Sequence, residues 1–226
     1  MKQQVSVSFM LLGILFNVCL IAANLLETKV IQLGGLTVTA GLLVFPVSYI
    51  INDCISEVWG YRKARLVIWS GFLMNFLVVM LGMIAVALPA APFWEGEAHF
   101  NYIFSMAPRI VVASLIAFLA GSFLNAYVMS RMKLKDGGRR FAARAIWSTV
   151  AGETADSLLF FPIAFGGIIG VPELLSMMLA QVCLKSLYEV LILPVTIRVV
   201  RAVKRIDGCD VYDEGVSYKI WHIGDM

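Results

Sequence analysis

The chain has 226 residues, of which 60% are hydrophobic and 15% are charged, with a formal net charge of +3. A soluble domain carries about 25% charged residues, and a mean hydropathy of +0.86 leaves no material for a charged shell. Lipid is therefore the expected solvent for most of the surface, and the small basic excess argues against a nucleic-acid partner.

Crossing the hydrocarbon core takes roughly 20 mostly apolar residues. Stretches of that kind fall at about 5–24, 36–58, 66–88, 109–130, 145–170 and 174–199. Backbone in lipid must satisfy its own hydrogen bonds, so each is expected to be a helix. The expected fold is an all-α integral membrane protein with six transmembrane helices. LLVFPV (42–47) and LLFFPI (158–163) raise the option of two inverted three-helix halves. Residues 1–205 form the membrane domain and 206–226 a polar tail. The first span is read as retained, because its flanks lack a clear small-x-small cleavage site.

Basic residues sit in alternate loops: Arg62, Lys63 and Arg65; then Arg131, Lys133, Lys135, Arg139, Arg140 and Arg144; then Arg198, Arg201, Lys204 and Arg205. The other loops hold Glu27 and Lys29, then Glu95, Glu97 and His99, then Glu173. Retention of positive charge inside predicts a cell inner-membrane protein with both termini in the cytoplasm.

Ionisable groups within apolar spans face a bundle interior or a wet cavity. Span two carries Asn52, Asp53 and Glu57, span three Asn75, span five Glu153 and Asp156, and span six Gln181, Lys185 and Glu189. Glu153 and Asp156 are i,i+3, and Gln181, Lys185 and Glu189 are i,i+4,i+8, so each set shares a helix face. The carboxyls Asp53, Glu153, Asp156 and Glu189 outnumber the deep cation Lys185. They must be paired, protonated or wet, as a substrate or ion pathway would allow. Arg109, beside Pro108, either snorkels, meets an outer carboxylate such as Glu27 or contacts incoming substrate. Pro46, Pro162 and Pro194 are expected to interrupt three spans.

The histidines are His99 and His222, both outside the spans, so a deep catalytic base or zinc ligand of that type is lacking. No phosphate-cradling glycine loop is present. Cys19, Cys54, Cys183 and Cys209 have no metal-ligand spacing and read as small packing residues. The chain is thus read as a transporter rather than an enzyme, with no cofactor and no metal.

Span two and its exit read FPVSYIINDCISEVWGYRKAR (45–65). Span four begins PRIVVASLIAFLAGSFLN (108–125), span five reads RAIWSTVAGETADSLLFFPIAFGG (144–167), and span six carries QVCLKSLYEVLILP (181–194). Together with Thr28-Lys29 and the tail IDGCDVYDEG, these segments resemble the bacterial queuosine precursor transporters of the vitamin uptake transporter group. The resemblance covers nearly the whole chain and implies import of 7-cyano-7-deazaguanine, or related 7-deazaguanines, for salvage into tRNA queuosine. The partners it implies are this small 7-deazapurine and the bilayer, with homo-oligomerisation left open.

A 7-deazaguanine offers adjacent N–H donors at N1 and the 2-amino group and an acceptor at O6. Asp156 or Glu153 can take both donors. Lys185, Asn75 or Gln181 can donate to O6. Phe45, Phe160, Phe161 or Tyr188 can stack on the ring. Asp53 and Glu189 complete the candidate set. The competing reading is a substrate-binding subunit of an energy-coupling-factor vitamin importer. It would favour a small-residue stripe on span one, where only Gly13, Ala22 and Ala23 occur. Proton coupling and downhill flow with trapping are equally open.

Overall fold

The computed structural model describes residues 6–33, 36–104, 108–167 and 170–220. The side chain of Arg109 and the whole of His222 lie outside the described residues. The described elements are α1 (Val7–Leu26), β1 (Val30–Leu33), β2 (Leu36–Thr39), a 3-10 turn (Ala40–Leu43), α2 (Phe45–Ala87), α3 (Glu97–Phe104), α4 (Pro108–Asp136), α5 (Phe141–Phe165) and α6 (Val171–Asp207).

Polarity is inverted relative to a soluble protein. The largest fully buried side chains include Arg65, Arg144, Lys133, Glu57 and Glu153, while Leu11, Leu77 and Leu191 are exposed. Among the described residues, four stretches are long and apolar enough to cross a membrane: Val7–Leu26, Ala40–Ala87, Val112–Asp136 and Val171–Asp207. α5 is less apolar because it carries Ser148, Thr149, Glu153, Asp156 and Ser157, all buried.

Ala40–Ala87 is 48 residues long. As one straight helix it would reach about 70 Å, more than twice the hydrocarbon thickness. It is broken at Gly60 (φ 81°, ψ 175°), a conformation open to glycine. Contacts with α1 reveal that the chain folds back there. Phe9, near the start of α1, packs on Trp59 at 5.2 Å between ring centroids. Near its end, Asn24 donates to Asn75 at 2.8 Å, and Glu27 lies against Gly41. Residues 41 and 75 are therefore at one end of the bundle and Gly60 at the other. α1 lies beside both halves of α2, with Phe16 and Leu20 against Gly71.

Near the break, Ser8 Oγ donates to Asp207 Oδ1 at 2.9 Å. The start of α1 and the end of α6 thus lie together, at the end that also holds the basic side chains Arg65, Lys133, Arg144 and Lys204. α2 is central, contacting α1, α4, α5 and α6. Close approach of α4 and α5 depends on Gly121 and Gly152. A Cβ on either would meet the other's carbonyl oxygen at 2.9 Å, and the Tyr49 ring or hydroxyl more closely.

Several boundaries depart from the sequence expectation. Residues 36–39 do not begin a helix; they pair antiparallel with β1, Val30 opposite Thr39 and Leu33 opposite Leu36. The alternating β-branched run Thr37-Val38-Thr39 suits a strand. Pro46 does not interrupt α2 but occupies its first turn, where its missing N–H costs nothing. Pro162 and Pro194 do lie inside α5 and α6. Pro46 therefore opens one helix while Pro162 lies near the end of another, so LLVFPV and LLFFPI do not hold equivalent positions. α5 stops at Phe165, followed by Gly166 and the positive-φ Gly167, short of residue 170. α6 runs to Asp207, ending on the left-handed Gly208. The tail then turns back against the bundle: Val211 N–H donates to Val58 O at 3.0 Å, and Arg65 Nη1 donates to Ser217 O and Lys219 O at 3.2 and 2.9 Å.

Candidate substrate-binding site

Helical spacing sets the polar residues of the bundle in successive layers. On the first half of α2, Phe45, Tyr49, Asp53 and Glu57 recur every four residues and so share a face, as do Lys185 and Glu189 on α6. α5 runs the other way, presenting Arg144 at the Gly60 end, then Ser148 and Thr149, then Glu153 and Asp156. The pairings match these layers across the helices.

Furthest from Gly60 lies the Lys185 layer. Lys185 Nζ is 2.9 Å from Glu153 Oε2 and 3.7 Å from Asp156 Oδ2, and it sits 4.0 Å from the centroid of the Phe45 ring. Glu153 is fully buried, and Lys185 is 5% exposed. Glu27 is within Coulombic reach of both Lys185 and Asp156. Burying these charges is expensive, and the ion pair offsets only part of that cost. Glu153 Oε1, the Tyr49 hydroxyl and Gln181 Oε1 are buried without a hydrogen-bond partner. Unmade hydrogen bonds of this kind are costly, and here they border a cation, two carboxylates and an aromatic face. The layer can therefore recognise a planar ligand with both donors and acceptors.

The middle layer joins Asp53 and Glu189. Ser148 Oγ donates to both Asp53 oxygens at 3.2 Å, and Thr149 Oγ1 donates to Glu189 Oε2 at 2.6 Å. Asn52 Nδ2 donates to Asn125 Oδ1 at 2.7 Å beside them.

The layer at the Gly60 end is an ion-pair network. Buried Glu57 takes Arg144 Nη2 and Lys204 Nζ, each at 2.7 Å. Arg144 also holds Asp136 at 2.7 Å. Lys133 Nζ meets Asp210 Oδ1 at 2.5 Å and Val211 O at 2.7 Å. Asp210, on the tail beyond the helices, is pulled two ways. Partial burial raises its pKa, but hydrogen bonds from Lys133 and Lys204 prevail and hold it below the ordinary carboxylate range.

Of the sequence candidates, Glu153, Asp156, Lys185 and Phe45 come together in one layer, with Gln181 one helical turn from Lys185. Asp53 and Glu189 form the separate middle layer. Asn75 is elsewhere: bonded to Asn24, it lines a small open cavity with Glu27, Ser114 and Phe104. Glu27 lines this cavity, within Coulombic reach of Lys185. Phe161 packs with Leu174, Met178, Phe160 and Phe165 in an apolar cluster between α5 and α6. Tyr49 and Glu27 were not singled out for the site from sequence. The four-residue spacing from Phe45 to Asp53 could have flagged Tyr49.

Residues 39–199 match the family model described as "putative vitamin uptake transporter". Among curated proteins, a "probable queuosine precursor transporter" of Bacillus subtilis is 28% identical over 182 residues, 77% of this chain and 76% of that protein. The "queuosine precursor transporter" of Escherichia coli is 28% identical over 155 residues, covering 67% of this chain and 66% of that protein. A "probable queuosine precursor transporter" of Haemophilus influenzae is 25% identical over 127 residues, covering 56% and 52% respectively. No solved structure matches. A helical bundle with apolar surfaces and a buried polar interior, matched by that model over most of its length, is a multi-pass membrane transporter and not an enzyme: the chain belongs to the vitamin uptake transporter family.

Proposed function

We propose that this protein imports a queuosine precursor, 7-cyano-7-deazaguanine or a related 7-deazaguanine, across the inner membrane for salvage into tRNA. The observation that carries this reading is the buried layer of Lys185, Glu153, Asp156 and Phe45 in a chain similar to proteins named for that substrate class. The N1–H and 2-amino group of the base present two parallel donors, which a carboxylate of Glu153 or Asp156 accepts together. The Lys185 ammonium then turns to O6, and Phe45, already against that ammonium, covers the ring face. Tyr49 and Gln181 supply further polar contacts. A neutral ligand suits this site, because Lys185 and the carboxylates already offset much of each other's charge.

In this reading α1, the two halves of α2, α4, α5 and α6 make six crossings. The Gly60 end, with its basic side chains and the tail, faces the cytoplasm. The cavity lined by Asn24, Glu27 and Asn75 is then the outward vestibule. Cells unable to make the base should regain queuosine in tRNA when this protein is expressed and the precursor is fed. No gain in modified tRNA, with the protein present in the membrane, would refute the substrate.

A further inference from the structure

The buried carboxyls of the bundle fall into sets that differ in their cations. Glu57 has Arg144 and Lys204, and Glu153 and Asp156 share Lys185. Asp53 and Glu189 are as deeply buried, at 0% and 1% exposure, yet among the described residues no Lys or Arg approaches either within ion-pair distance. Ser148, which donates to Asp53, and Thr149, which donates to Glu189, are consecutive on α5 and bring the two carboxyls into one layer. Their other neighbours are donors: the Ser148 hydroxyl on Asp53, the Thr149 hydroxyl on Glu189 and the Asn125 amide facing Asp53. Glu189 Oε1 and Asn125 Nδ2 remain buried without a formed hydrogen bond.

Two ionised carboxylates cannot share such a place, because each would cost several kcal/mol with no cation to offset it. One proton removes the repulsion, turning two anions into a hydrogen-bonded acid–carboxylate pair whose single charge the Ser148 and Thr149 hydroxyls solvate. A metal cation would neutralise the charge too, but among the described residues no group of three or more His, Cys, Asp or Glu is placed to hold one. The other titratable groups around the pair are Tyr49, Cys54 and Glu57 on α2. The nearest cations on α5 and α6, Arg144, Lys185 and Lys204, are engaged by other carboxylates.

We propose that Asp53 and Glu189 form a proton-binding site that couples transport to the proton gradient. The pair lies one helical turn, about 6 Å, from Lys185 along α6 and one turn from Glu57 along α2, between the substrate layer and the ion-pair network. A proton taken up from the outer side onto a carboxylate oxygen lets the layer stay dry and closed. Its loss to the inner side leaves two anions, which must draw in water and part the helices. No other bond is made or broken. The coupling rests on the import reading above; proton binding by the pair does not.

Two measurements test this. Infrared spectra of purified protein near neutral pH should contain the C=O stretch of a protonated carboxyl, and Asp53→Asn/Glu189→Gln should lose it. An unchanged band in the double variant overturns the site. In proteoliposomes, an inward acid gradient should drive 7-cyano-7-deazaguanine above its external concentration. Glu189→Gln, folded and inserted as the unaltered protein is, should lose that accumulation. Accumulation that persists in Glu189→Gln, ignores the acid gradient in the unaltered protein, or follows a sodium gradient at equal pH overturns the coupling. If the unaltered protein carries no such base, the substrate reading fails and the infrared result alone decides the proton site.

Discussion

Asp213, in the C-terminal tail, takes the backbone N–H of Tyr61 with both carboxylate oxygens, at 3.0 and 2.9 Å. Gly60 breaks α2, so the second half begins with amides that have lost their helical acceptors. A carboxylate at that point satisfies a donor and complements the positive end of the helix. Ser130 Oγ on α4 donates to the same carboxylate at 2.5 Å. The reversal in α2, the end of α4 and the tail are thus fastened at one point.

This fastening predicts a large effect from small changes. Asp213→Ala leaves a buried N–H unsatisfied, and losing a charged hydrogen bond costs about 1.5–3 kcal/mol. Gly60→Ala should also destabilise, since the backbone there is left-handed and the new Cβ would lie 2.6 Å from Asp213 Oδ1. Both variants should melt lower in detergent. Equal melting temperatures would mean the tail adds nothing to the bundle.

Substrate recognition makes a separable prediction. Asp156→Asn replaces a two-site acceptor with one acceptor and one donor, which opposes the N–H groups of the base. Affinity should fall about tenfold to a hundredfold, corresponding to about 1.5–3 kcal/mol. Lys185→Ala should also lower affinity and destabilise the protein, because Glu153 is left buried without its cation. Breaking such pairs costs about 3–5 kcal/mol. Ligand binding and melting measured on the same preparations separate the two effects. Lower stability with intact affinity would reduce the layer to helix packing.

Acid should loosen the tail. Asp210 has a folded pKa below its unfolded value, so its contribution is present above the unfolded pKa and is lost as pH falls through the folded one. The window therefore lies at and below the ordinary carboxylate range. Asp210→Asn should lower the melting temperature near neutrality and flatten its fall on acidification, so that the two proteins converge in acid. An identical acid profile in the variant would remove Asp210 from the account.

Packing at Gly121 gives a steric prediction. A Cβ there would sit 2.4 Å from the Tyr49 hydroxyl, so Gly121→Ala should push Tyr49 and α5 away. Combining it with Tyr49→Phe should recover part of the lost melting temperature, because the blocked atom is gone. No recovery would locate the strain at the Gly152 carbonyl instead.

Much of this was legible from chemistry carried within single segments. Charged side chains in apolar runs marked Glu153, Asp156 and Lys185, and their helical spacing placed them on shared faces. What was hidden depends on which helices become neighbours. Asn75 has the same depth and polarity as a site residue, but Asn24 draws it into another cavity. Phe161 has the right ring, but α5 turns it toward Met178 and Leu174. Arg144 and Lys204 resemble solvated loop cations, yet they reach back to buried Glu57. A reversal between residues 58 and 66 was legible from the two spans and the basic residues between them; that a single glycine makes it, where a loop was expected, was not.

The most direct test is uptake of labelled 7-cyano-7-deazaguanine by the purified protein in liposomes, without ATP or any other protein. Uptake should be saturable, competed away by unlabelled 7-deazaguanine and strongly reduced in Asp156→Asn that is still folded and inserted. Absence of uptake, or uptake of equal affinity in Asp156→Asn and Lys185→Ala, would contradict this.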